Sequence, residues 1–123
     1  MARDILIVDD EADIRELIGG LLEDDGYEPR EAADADGALA VIRQRKPSLI
    51  ILDVWLQGSR LDGIELLDEF RALDPDLPVI VICTQQSHDI FGLEALDLCD
   101  VKLRTPLRRD SLQSAMLQAQ LNN

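Results

Sequence analysis

Three runs of four consecutive apolar residues, Ile5-Leu6-Ile7-Val8, Leu49-Ile50-Ile51-Leu52 and Val79-Ile80-Val81-Ile82, limit this chain more than any other feature. A strand that is apolar at every position, not at alternate ones, must be covered on both faces, which is the condition of a central strand in a parallel sheet. Parallel neighbours need long crossover connections, usually helices. The segments between the runs supply them. Ile14, Leu17, Ile18, Leu21 and Leu22 fall on one face of a first helix that ends near Gly26. Ala35, Ala38, Leu39 and Ile42 mark a second, with Asp34 as N-cap and Pro47 beyond its end. Asp62 and Glu65 form a capping-box pair opening a third, with Ile64, Leu67 and Phe70 inward. Residues 86–98 read as a fourth helix, and Leu112, Ala115, Met116 and Ala119 mark a fifth after Pro106. Weaker strands are expected over 27–32, where Pro29 favours an edge position, and over 101–103. Five strands alternating with five helices predict an α/β fold with a parallel sheet, in a single domain over 1–123.

Charge narrows the function. There are 25 acidic residues against 12 basic ones, a net charge of -13, so direct binding to nucleic acid or to an anionic membrane is not expected. The Ile5–Val8 run is too short for a signal peptide or a membrane span. Cys83 and Cys99 form neither a disulfide framework nor a zinc pattern, which fits a reducing cytoplasm. Both read as small buried hydrophobes, and the single histidine, His88, as an exposed residue at a helix start.

Ligand chemistry in open α/β sheets sits at the carboxyl ends of the strands. Asp9 and Asp10 end the first strand, Asp53 ends the third, and Cys83-Thr84 ends the fourth. If the first and third strands are neighbours, the three aspartates converge. Such a cluster is costly unless a hard cation neutralises it, and Mg²⁺ suits carboxylates combined with a phosphoryl oxygen. A carboxylate is also a nucleophile towards phosphorus, giving an acyl phosphate. Asp53 would then attack, Asp10 would hold the metal directly, and Asp9 directly or through water. The structural alternative is that Asp10 merely caps the first helix.

The strings Ile5-Leu6-Ile7-Val8-Asp9-Asp10-Glu11, Leu49-Ile50-Ile51-Leu52-Asp53, Leu61-Asp62-Gly63-Ile64-Glu65-Leu66-Leu67 and Leu77-Pro78-Val79-Ile80 resemble receiver domains of two-component response regulators. Over 53–63 the chain carries two residues more than the usual loop, and there it resembles nitrogen-regulation regulators of the NtrX type. Those regulators usually continue into an ATPase domain and a DNA-binding domain, so a chain ending at Asn123 is expected to be a stand-alone receiver or part of a longer regulator. The resemblance implies a flavodoxin-like sheet in the order 2-1-3-4-5. It implies Asp53 as phosphoacceptor, Asp10 as Mg²⁺ ligand with Asp9 beside it, and the Trp55 carbonyl as a further metal ligand. A histidine kinase's phosphohistidine is the implied donor, and a downstream effector domain or a homodimer the further partner. No enzyme activity is implied beyond self-catalysed phosphoryl acceptance and slow acyl-phosphate hydrolysis.

The same resemblance marks departures. Cys83 stands where receivers have a Thr or Ser for the phosphoryl group, and a thiol is the weaker hydrogen-bond partner; with the register shifted by one, Thr84 supplies that hydroxyl instead. Thr105 stands before Pro106 where receivers have Lys. Strand geometry sends Lys102 and Arg104 to one face and Leu103 and Thr105 to the other. The aromatic switch residue of the fifth strand is missing, with Val101 and Lys102 at its position, and Cys99 replaces a Gly. Acceptance at Asp53 with weak or atypical coupling to the fourth and fifth strands is therefore expected. A degenerate receiver that binds partners without phosphorylation is the alternative. An aspartate-nucleophile phosphatase is disfavoured because Trp55 occupies the place of its second aspartate, and a nucleotide-binding domain because no Gly-rich loop follows the first strand. Three further features stand out. Gly19-Gly20 calls for close packing or a kink, Arg108-Arg109 reads as a solvated or self-association surface, and Trp55 offers a fluorescence reporter of metal binding.

Overall fold

A computed structural model of the protein describes residues 3–53, 63–83, 101–104 and 108–121. Along the chain lie β1 (Asp4–Val8), α1 (Ala12–Asp24), β2 (Glu28–Ala32), α2 (Ala35–Gln44), β3 (Leu49–Asp53), α3 (Gly63–Leu73), β4 (Val79–Cys83), β5 (Val101–Arg104) and α4 (Arg109–Leu121). The five strands form one sheet in the order β2-β1-β3-β4-β5, every pair parallel. The helix expected over 86–98 lies outside the described residues, as does Asp62 of the expected capping box.

The apolar runs do what their composition requires. Side chains alternate across a strand. Leu6, Val8, Ile50, Leu52, Val79 and Val81 pack on one face with Ala38, Leu39, Leu67 and Phe70 of α2 and α3. Ile5, Ile7, Leu49, Ile51, Ile80 and Ile82 pack on the other with Ile18 and Leu22 of α1 and Leu112, Met116 and Ala119 of α4. Among the described residues, weakly patterned β2 pairs only with β1, so Pro29 sits on an edge strand as expected.

Helix ends follow their local chemistry. Asp34 Oδ1 accepts from the Gly37 amide at 2.7 Å, the N-cap bond that the sequence predicts. At the end of α1, Gly26 has φ of +89°, a conformation favouring glycine. The Gly26 and Tyr27 amides donate back to the carbonyls of Glu23 and Leu22 at 3.0 and 2.9 Å, closing a Schellman motif.

Two expectations for α1 need correction. Leu17 is exposed, because the inward ridge runs through Ile18 and Leu22 with Ile14 and Leu21 only partly covered. The glycine pair introduces no break in a helix running unbroken from Ala12 to Asp24. Gly19 faces Pro29 at a distance where a methyl group would make ordinary contact, 3.8 Å, while nothing surrounds the outward face of Gly20. A methyl group would fit at either position, and nothing in the structure explains the pair.

Candidate functional site

The register sets the site. β1 and β3 lie side by side with Val8 opposite Leu52, so one further step brings the carboxyl end of β1 against Asp53. One carboxylate oxygen from each of Asp9, Asp10 and Asp53 lies within 4.8 Å of the others. Sequence reasoning expected this convergence. Asp9 is buried, and Asp10 and Asp53 are partly covered. Asp10 is not a helix cap: Glu11 occupies the N-cap position of α1 and makes no side-chain cap bond.

Asp9 is held at three points. Its amide donates to the Ala32 carbonyl of β2 at 3.1 Å, its Oδ1 accepts from the Glu11 amide at 2.9 Å, and its carbonyl accepts from Arg15 Nη1 at 2.7 Å. Burial pushes the Asp9 carboxyl up to about 6; the Glu11 amide opposes this, and the charges of Asp10 and Glu11 add to it. The cluster is therefore costly as bare carboxylates, and its all-oxygen donor set fits a hard divalent cation such as Mg²⁺.

Arg15 escaped sequence reasoning. Its Nε donates to Glu31 Oε1 at 3.1 Å, so the guanidinium bridges the acidic turn and the end of β2. The overlooked signal is a cation in the first turn of a helix, where the helix dipole disfavours positive charge.

Trp55, Thr84 and Thr105 lie outside the described residues. Cys83, Lys102 and Arg104 are described as backbone only: β4 places Ile82 opposite Asp53, and Cys83 pairs with Arg104 across β4 and β5. Among the described residues, no helix is long and apolar enough to cross a membrane.

Comparison with known proteins decides the family. The profile of the response regulator receiver domain matches residues 5–102. The chain belongs to the response regulator receiver family. This receiver is 63% identical over 82 residues to the nitrogen assimilation regulatory protein NtrX of Azorhizobium caulinodans, covering 67% of the chain and 18% of that protein. It is 46% identical over 98 residues to the phosphate regulon transcriptional regulatory protein PhoB of Pseudomonas aeruginosa, covering 76% of the chain and 42% of that protein. The match thus covers less than half the length of either curated relative. Its fold superimposes on the crystal structure of the receiver domain of NtrX from Brucella abortus with a TM-score of 0.91 at 44% identity, covering 98% of this chain and 100% of that one.

Proposed function

We propose that this receiver accepts a phosphoryl group on Asp53 from the phosphohistidine of a histidine kinase, with Mg²⁺ in the acidic cluster. The observation that supports this reading is the gathering of Asp9, Asp10 and Asp53 at adjacent strand ends. An Asp53 carboxylate oxygen forms the new O–P bond as the P–N bond to the donor imidazole breaks, and the electron pair of that bond returns to the ring nitrogen. An acyl phosphate on Asp53 results. Asp9, Asp10 and Asp53 would hold the ion, with the Trp55 carbonyl as the further ligand that the family resemblance implies. Bound there, Mg²⁺ supplies positive charge that offsets repulsion between the carboxylates and the incoming phosphoryl oxygens. Catalysis by the chain itself goes no further than this acceptance and slow hydrolysis of the acyl phosphate.

The relay half of the reading is weaker coupling. A thiol at Cys83 and a neutral Thr105 replace the hydroxyl and ammonium groups that receivers use to report the phosphoryl group, so β4 and β5 respond little on phosphorylation. The same two positions support the second reading, a receiver that binds its partners unphosphorylated. The proposed setting is the cytoplasm, and the proposed downstream partner is an effector domain or a second receiver.

Incubation with acetyl phosphate and Mg²⁺, followed by intact-mass measurement, tests the proposal. Wild type is expected to gain one phosphoryl group and Asp53→Asn none. Beryllofluoride with Mg²⁺ separates the two readings, because failure to bind it leaves only the unphosphorylated one.

A further inference from the structure

Arg15 sits where the helix dipole disfavours it, yet its side chain is mostly covered, with 18% exposed. It is not spent on the acidic cluster's carboxylates. Its two described bonds go to the Asp9 main-chain carbonyl at 2.7 Å and to Glu31 Oε1 at 3.1 Å. The carbonyl bond is the consequential one. The Asp9 carbonyl, the Asp10 amide and both flanking Cα atoms share one peptide plane. Holding the oxygen fixes that plane, and the Asp10 side chain departs from its edge. Glu31 in turn anchors the guanidinium to β2, the strand whose Ala32 carbonyl already receives the Asp9 amide.

We infer that Arg15 is a positioning residue for the cation site: clamped by Glu31, it locks the Asp9–Asp10 peptide and so sets the direction from which the Asp10 carboxylate meets a divalent ion. The inference rests on the cation-binding reading of the cluster. Arg15 acts as an outer-shell partner, a type whose loss commonly weakens metal affinity by about 10–100-fold.

Titration of the full chain with MgCl₂ alone, by calorimetry and by Trp55 fluorescence, tests the inference. Arg15→Met keeps the aliphatic stem and removes both bonds. Its Kd for Mg²⁺ is expected to rise about tenfold or more. Arg15→Lys, whose ammonium satisfies one acceptor at a time, should fall between, with a Kd raised about threefold. Glu31→Ala, which frees the clamp without touching the carbonyl bond, should shift the Kd in the same direction by less. The sign discriminates, because deleting a nearby positive charge by itself tightens Mg²⁺ binding. A bystander Arg15 therefore gives an unchanged or lower Kd even if the melting temperature in EDTA drops, and that result in Arg15→Met overturns the inference while leaving the cation site standing. Should Arg15→Met fail to fold, wild-type affinity in both Arg15→Lys and Glu31→Ala overturns it instead. Absence of Mg²⁺ binding by wild type would remove the cation reading and the inference together.

Discussion

The two ends of the sheet treat acidic side chains in opposite ways. At the amino end, Asp4 and Asp74 are matched by cations from the chain itself. Asp4 at the start of β1 meets Arg30 at 2.8 Å and Arg45 at 3.2 Å. Asp74, ahead of β4, pairs with Lys46, which holds its carboxyl below the usual range. At the carboxyl end, Asp9, Asp10 and Asp53 are gathered against one another instead. The contrast separates two uses of one residue type. Acids paired with cations of the chain fasten elements together; a cluster of carboxylates is the arrangement that the proposed Mg²⁺ would neutralise.

The sharpest way to break this contrast is to exchange the roles. Asp53→Asn is expected to abolish phosphoryl incorporation in the intact-mass assay while the fold persists, since an amide is no nucleophile towards phosphorus. Asp4→Ala is expected to do the reverse. It removes the carboxylate partner of the largely covered Arg30 side chain, which keeps its bonds to the Val41 and Arg45 carbonyls, costs about 1–2 kcal/mol in urea unfolding, and leaves the Mg²⁺ affinity unchanged. If Asp4→Ala shifts Mg²⁺ binding as strongly as stability, the two ends are not separable.

Asp9→Asn sharpens the contrast through pH. The Asp9 carboxyl titrates at about 6 in the folded chain, because burial disfavours its charge. An unfolded aspartate titrates near ~3.9. The folded state therefore holds this proton more tightly: the stability that it brings is full below pH ~4 and is lost as pH rises through the folded value. In EDTA at pH 8, Asp9→Asn, which keeps the oxygen that accepts from Glu11, should stabilise the protein by about 1–2 kcal/mol, and the gain should fade as the pH approaches ~4. A melting-temperature series across that range checks both size and sign. The smallest effect calibrates the others from a site belonging to neither end. Gly20→Ala, on the open face of α1, should add about 0.5–1 kcal/mol by helix propensity, read as a small rise in the urea midpoint.

Much of this was legible in the sequence because it is written in local chemistry. Unbroken apolarity of Ile5–Val8 and Leu49–Leu52 demanded two covered faces, and the two hydrophobic clusters supply them. Aspartates directly after those runs had to emerge at one edge once β1 and β3 were neighbours. Pro29 marked the edge strand and Asp34 the cap. The misses are of another kind. Leu17 belongs to the apolar stripe by spacing, but α1 rests on its neighbours along a narrower ridge, and only the packing determines which members of the stripe are covered. Arg15 could not be read as a link to Glu31, because the two are sixteen positions apart and meet only when β2 lies beside β1. The relay positions Cys83, Thr84 and Thr105 were read through family resemblance alone, not from physical pattern, and their side chains lie outside the described part.

The border strand β2 has a consequence beyond the site. Its sequence, Glu28-Pro29-Arg30-Glu31-Ala32, places a residue with no amide hydrogen and three charged side chains along a rim that pairs on one side only. A foreign strand seeking to extend the sheet there would forgo a hydrogen bond at Pro29 and bring its own chain against crowded charge. The rim is thereby guarded against accretion into aggregates, a safeguard for a sheet whose neighbouring strands are among the most adhesive segments in the chain.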